Sequence, residues 1–172
     1  RVRKGPVCQS LINRAPKGDR KAGETMSYTN LIYHIVFSTK ERREMIDAER
    51  IERICKYTAG IILNHEGTPL AVNGVSDHLH IAAIVEPTIA LSQFVGTVKS
   101  NCSKWIHNTF HDMRDFSWQD GYSAFSVSSS VKDSVVSYIQ NQESHHRKMS
   151  YMDELIQLLQ KHGIEYDPEY LR

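Results

Sequence analysis

The stretch Asp77-His78-Leu79-His80-Ile81-Ala82-Ala83-Ile84-Val85 constrains the fold more than any other part of this 172-residue chain. Side chains alternate between faces along an extended strand, so Leu79, Ile81, Ala83 and Val85 share one face while His78 and His80 share the other. The first set demands a packed layer against it. The second projects two imidazoles about 7 Å apart, two residues of rise along a strand. Such a strand belongs in a sheet that packs helices on one side and keeps polar groups on the other.

The flanking patterns supply that sheet. Thr29–Ser38 reads as a strand apolar on both faces, hence central. Asp47–Asn64 carries Ile51, Ile54, Cys55, Thr58, Ile61 and Ile62 at helical spacing, with Glu49, Arg50, Glu52, Arg53 and Lys56 on the outer face. Thr68–Val75 and His78–Glu86 form two strands joined through Gly74-Val75-Ser76-Asp77 as a hairpin. Pro87-Thr88 starts a second long helix, whose stripe is Leu91, Phe94, Val95, Val98, Cys102, Trp105 and Ile106. After a loop around Asp115–Gly121, Ser123–Ser128 reads as a fourth strand. The order β-α-β-β-α-β predicts an α+β, ferredoxin-like antiparallel sheet with both helices on one face. Capping signals at Ser130–Asp133 and Ser150–Asp153 open two more helices. The first runs to about His146, the second carries Met152, Leu155, Ile156 and Leu159, and together they are candidates to cover the other face.

Composition narrows the function classes. With 40% hydrophobic and 24% charged residues the chain is a soluble globular protein. No apolar run approaches the roughly 18 residues of a membrane span, which predicts no membrane partner. Cys8, Cys55 and Cys102 include no C-x-x-C pair, so neither a disulfide framework nor a cysteine zinc site is expected. With no secretory signal in view, the expected location is cytoplasmic. Residues 1–25 hold seven basic and two acidic residues, lack any period, and read as a disordered basic extension preceding a single domain over 26–172. That domain keeps 14 basic and 18 acidic residues, so it is no general polyanion binder. Nucleic acid would have to be met by a local patch, by metal, or through bases.

Two constellations carry chemistry. His78 and His80 can converge on one divalent cation, or stand as a hydrogen-bonded buried pair. A histidine-triad nucleotide hydrolase is excluded by Ala82, and two-histidine phosphoesterases by the absence of H-x-[ST] repeats. Asp77 is expected to face away from both imidazoles. Tyr138 and Gln142, four apart on a helix, share one face with Val131 and Val135. A phenol beside a divalent cation is a nucleophile suited to a phosphodiester, because the cation polarises the phosphoryl oxygens. An amide oxygen from Gln142 can complete the metal shell. Oxygen ligands allow Mg2+, and imidazole tilts the set toward Mn2+. His34 reads as a hydrogen-bonded core histidine, and His146 as a helix C-terminal residue rather than a ligand. Lys99, Lys104, Lys132, Arg147 and Lys148 are candidate phosphate contacts, and Tyr122 a candidate base-stacking residue. Trp118 is another such candidate, whereas Trp105 is expected to pack.

The H-L-H strand, Tyr138 with Gln142 four residues on, and Trp118-Gln119-Asp120-Gly121-Tyr122-Ser123-Ala124-Phe125-Ser126-Val127-Ser128 together resemble the single-tyrosine HUH transposases. These are small transposases of bacterial insertion sequences and their domesticated relatives at palindromic repeats. Val36-Phe37-Ser38-Thr39-Lys40 followed by Arg42-Arg43, Val95-Gly96 to Lys99-Ser100, and Ser103-Lys104-Trp105-Ile106 match as well, so the resemblance spans roughly residues 28–170. It implies a metal-dependent transposase that cleaves and rejoins single-stranded DNA next to hairpins. Carried over, Tyr138 attacks a DNA phosphate to give a 5′-phosphotyrosine link and a free 3′-hydroxyl, which later attacks to rejoin strands. His78 and His80 become metal ligands, with Gln142 the third. The resemblance also implies a homodimer in which the tyrosine helix completes the partner's site. Two other readings stand beside it. A non-catalytic single-strand-binding module would carry aromatics on its first and third strands, where this chain offers His78, His80 and Ala82. A replication initiator or relaxase of the wider HUH group is usually larger.

Overall fold

The computed structural model describes residues 28–146 and 149–171; the basic segment 1–25, Arg147 and Lys148 lie outside the described residues. Four strands and two long helices follow the expected order: β1 (Ile32–Ser38), α1 (Ala48–Asn64), β2 (Gly67–Gly74), β3 (His78–Val85), α2 (Leu91–Thr109) and β4 (Ser123–Val127). Three shorter helices close the chain: α3 (Lys132–Gln140), α4 (Gln142–His146) and α5 (Tyr151–Lys161). The strands form one antiparallel sheet in the order β2-β3-β1-β4, so the two chemically informative strands, β3 and β1, are central.

Local signals set the elements. Asp47 caps α1 by accepting from the Glu49 and Arg50 amides at 3.1 and 2.8 Å, and Ser150 caps α5 by accepting from the Asp153 amide at 3.2 Å. Two boundaries differ from expectation. Residues 87–89 make a turn instead of opening α2, and the first α2 amide bond runs from Phe94 to the Ala90 carbonyl. The helix expected to continue to His146 breaks at Asn141, whose side chain donates to the Ser137 carbonyl at 2.7 Å. That bond competes with the regular backbone ladder.

The register sorts the side chains by face. Ile35, Phe37, Leu79, Ile81, Ala83 and Val85 pack with Ile54, Ile62, Phe94, Val98 and Ile106 of α1 and α2 in the main core. On the other face His34, Val36 and Ser38 of β1 stand opposite Ala82, His80 and His78 of β3. The C-terminal helices cover this second face. Ile139 of α3 packs on Ala71 and Ala82, and Tyr151, Leu155 and Leu159 of α5 pack on Val36 and Phe125. The sheet is therefore sandwiched, with the imidazoles enclosed between it and the last helices. Gly74 makes the tight β2–β3 junction possible: a Cβ there would lie 2.2 Å from the His78 carbonyl oxygen. No helix among the described residues is long and apolar enough to cross a membrane.

Candidate active site

His78 and His80 project from β3 onto the enclosed face, as strand alternation requires, and both are fully buried. Across from them α4 and α5 deliver His146 and Glu154. His146 Nε2 lies 2.9 Å from His78 Nε2 and 2.9 Å from Glu154 Oε2. Glu154 Oε2 lies 3.3 Å from His80 Nε2 and 3.7 Å from His78 Nε2. One ligand atom from each of the four residues falls within 4.8 Å of all the others. Tyr138 of α3 hydrogen-bonds Glu154 Oε1 through its hydroxyl, and its ring centroid is 6.0 Å from that of His80. Gln142 is fully buried and donates Nε2 to the same Glu154 oxygen at 3.2 Å. Tyr151 lies over His78 at 4.7 Å between ring centroids.

Burial and neighbouring charge set the protonation states. Burial, reinforced by His80, lowers the His34 pKa from 6.5 to about 3. Burial also lowers His80 to about 4 against the pull of Glu154, so both rings are neutral at neutral pH. Burial alone would raise the Glu154 carboxyl, but the adjacent His146 and His80 imidazoles hold it far below the usual carboxylate range. His146 is raised despite its burial, because of the same carboxylate. Burial, then Glu154, push the Tyr138 phenol up, so it rests as a neutral hydroxyl.

The donor set fits a divalent cation. Three imidazoles and a carboxylate suit a first-row transition ion, and carboxylate with amide oxygen admits a harder one. Among the described residues, the buried atoms His80 Nε2 and Gln142 Oε1 have no hydrogen-bond partner. Buried polar atoms left so are costly, and a cation would satisfy them.

The structure brings four of the sequence candidates together: Tyr138, His78, His80 and Gln142. It places the other candidates elsewhere. Lys99 extends from α2, on the opposite side of the sheet, to the carbonyl oxygens of Gln119, Asp120 and Gly121 at 2.5, 3.2 and 2.9 Å, so its ammonium holds the loop before β4. Lys104 is exposed on the same helix, and Tyr122 packs half-buried against the main core. Lys132, at the start of α3, lies 3.5 Å from Asp133. Trp118 is buried in the main core, and Trp105 stacks on Tyr57 at 4.4 Å. Two expectations change. His146 enters the cluster. Asp77 turns toward His78, with Oδ1 2.6 Å from Nδ1, because it precedes β3 and escapes the strand's alternation. Within the chain, Ile139 beside Tyr138 packs α3 on Ala71 and Ala82 of the sheet, which sets the Tyr138 ring 6.0 Å from His80. Glu154 is a site residue that no motif in the sequence marks.

The family model for IS200-like transposases matches residues 27–142, which include β1 through β4, both strand histidines, Tyr138 and Gln142. The chain belongs to the IS200-like transposase family. A curated relative, the transposase for insertion sequence element IS200 of Salmonella typhimurium, is 27% identical over 140 residues, covering 73% of this chain and 84% of the relative. The Salmonella typhi protein of the same description matches equally. Among solved structures, a Deinococcus radiodurans chain classed as a transposase aligns with a TM-score of 0.57 at 21% identity, over 72% of this chain and 98% of that one. A REP-associated tyrosine transposase bound to a REP hairpin aligns with a TM-score of 0.52 at 12% identity, over 73% and 74% of the two chains. These likenesses show that the sandwiched four-stranded sheet is a fold that transposases use. As an IS200-like transposase, the chain is an enzyme of DNA transposition.

Proposed function

We propose that this transposase cleaves and rejoins single-stranded DNA beside hairpins through a 5′-phosphotyrosine link at Tyr138. One observation carries the reading: the Tyr138 hydroxyl and the imidazole cluster meet at a single buried carboxylate, Glu154, which uses Oε1 for the phenol and Oε2 for the histidines. A divalent cation, Mg2+ or Mn2+, supplies charge stabilisation at the phosphoryl oxygens when bound. His78 and His80 would hold it from the sheet, His146 and Glu154 from the C-terminal helices, and Gln142 would offer Oε1 beside them. Glu154 Oε1 orients the phenol by accepting its hydrogen. Tyr138 Oη loses its proton through Glu154 Oε1 as it forms the new bond to phosphorus, and the 3′-oxygen, released as its bond to phosphorus breaks, takes up a proton to leave as the 3′-hydroxyl. Rejoining reverses the exchange, with a 3′-hydroxyl as the attacking group.

Hairpin DNA as the partner is supported by the likeness to the hairpin-bound tyrosine transposase. Lys132, on the helix that carries Tyr138, and exposed Lys104 are the proposed phosphate contacts, and Tyr122 flanks the loop before β4. A homodimer is proposed because two DNA ends need two tyrosines, and the reach of Tyr138 to His80 within one chain favours sites completed in cis. A non-catalytic binding module fits less well. The site-facing positions of β1 and β3 are His34, Val36, Ser38, His78, His80 and Ala82, all buried under other side chains and offering no aromatic platform.

The test is incubation of the protein with an end-labelled single-stranded hairpin and Mn2+, followed by a denaturing gel. A covalent adduct that requires the metal is expected. DNA bound without any adduct would support the binding module.

A further inference from the structure

Every imidazole in the cluster turns its Nδ1 outward to a fixed partner and its Nε2 inward. His78 Nδ1 meets Asp77 Oδ1 at 2.6 Å, and His146 Nδ1 meets the Met149 carbonyl oxygen at 3.0 Å. Both partners only accept, so Nδ1 of each ring carries the hydrogen. His80 differs. Its Nδ1 lies 2.9 Å from Nε2 of His34, another imidazole, which donates or accepts according to its tautomer. If His34 donated, His80 would carry its hydrogen on Nε2 and point an N–H at the other donors, closed to a cation. His80 Nε2 stands 3.3 Å from Glu154 Oε2 and faces the other donors, so a cation taken up there requires a free Nε2 lone pair and the His80 hydrogen on Nδ1. The two rings are stacked, 5.2 Å apart at 29°. His34 is 3% exposed, and Phe125 and Tyr138 sit at 6.0 and 6.1 Å from its ring.

We propose that His34 is a positioning residue for the metal centre: its Nε2 accepts from His80 Nδ1–H, locks His80 in that tautomer, and so presents the Nε2 lone pair to the cation, as Asp77 does for His78. The inference rests on the reading of His78 and His80 as metal ligands and adds residues that make them competent. The two supports differ in kind. Asp77 is a carboxylate on the turn before β3 and strengthens His78 as a donor. His34 is a neutral ring from the neighbouring strand β1, held opposite Ala82 by the register.

Two measurements on the full chain test this. First, Mn2+ affinity is read from the loss of the free-ion signal in electron paramagnetic resonance for wild type, His34→Phe and His34→Gln. Phenylalanine keeps a ring and removes the acceptor, and glutamine returns an oxygen acceptor at a similar reach. His34→Phe is expected to weaken binding about 10- to 100-fold, the scale of lost outer-shell partners, and His34→Gln to restore most of it. Equal affinity in wild type and His34→Phe, or equal weakening in both variants, overturns the proposal. Second, nitrogen-15 shifts of the imidazoles in the metal-free wild type at pH 7.5 report the tautomers without any variant having to fold. His80 is expected with its hydrogen on Nδ1, and a hydrogen on Nε2 overturns the proposal. A wild type that takes up no Mn2+ removes the metal reading itself, a different failure from a metal-binding wild type indifferent to His34.

Discussion

Glu154 sits on the buried stripe of α5 between Tyr151 and Leu155, with only 2% of its surface exposed. In sequence it is camouflaged. Ser150 caps the helix, and acids in the first turn are ordinary there because they complement the helix dipole. Only its position in the i, i+3, i+4 row with Tyr151 and Leu155 distinguishes it from Asp153, which faces solvent. Glu154→Gln is expected to weaken Mn2+ binding at least about tenfold, on the scale for lost metal-site partners, measured by calorimetric titration. Glu154→Ala takes away the acceptor for the Tyr138 hydroxyl and Gln142 Nε2. It should cost about 1–3 kcal/mol per buried donor left unsatisfied, read from chemical denaturation. The histidine pair and Tyr138 with Gln142 were legible because strand and helix periods place them mechanically. Asp77 and His146 were not. One stands just outside a strand whose alternation was extended to it, and the other follows a helix break at Asn141 that re-aims everything after it.

At the scale of elements, the order of strands and long helices was readable because each apolar period has an unambiguous partner layer. The α3–α4 break was hidden, since it depends on one Asn side chain choosing the Ser137 carbonyl. Two contacts between elements hold the site. The β2–β3 junction has no room for a side chain at Gly74, where a Cβ would meet the His78 carbonyl at 2.2 Å and Leu79 Cδ2 at 2.7 Å. Gly74→Ala should therefore destabilise by about 1–3 kcal/mol, as overpacking does, and disturb His78 with it. A thermal melt together with Mn2+ affinity checks both. On the other side Leu155 seats α5 against Val36 and Phe125. Leu155→Ala should cost about 2–5 kcal/mol and loosen Glu154 from the cluster. An unchanged melt in that variant would mean that α5 is not a fixed wall of the site.

For the molecule as a whole, burying neutral histidines ties stability to pH. His34 and His80 take up protons at about 3 and about 4 when folded, against 6.5 when unfolded. The unfolded chain thus binds more protons in the interval, and stability falls as pH drops through 6.5 toward 4. Glu154, depressed when folded, adds its own loss below its ordinary 4.5. His146, raised, opposes them, its contribution being present below 6.5 and lost as pH rises through its folded value. Two groups against one predict a metal-free melting temperature that declines from pH 7 to pH 5 by calorimetry; a flat or rising profile contradicts the neutral, buried pair. Assembly has its own test. Mixing a Tyr138→Phe subunit with a His78→Ala, His80→Ala subunit should give no activity, because α3 is anchored on its own sheet and neither site is whole. Recovered activity would show tyrosines exchanged between subunits.

The central claim is that Tyr138 is the nucleophile at the imidazole cluster. The most direct measurement is to digest the covalent adduct formed with a single-stranded hairpin and Mn2+, and to locate the phosphotyrosine by mass spectrometry of its peptides. The DNA phosphate is expected on Tyr138, with no adduct from Tyr138→Phe although that variant still binds the hairpin. A phosphate found on Tyr151, whose ring lies 4.7 Å from His78, or an adduct persisting in Tyr138→Phe, would contradict it.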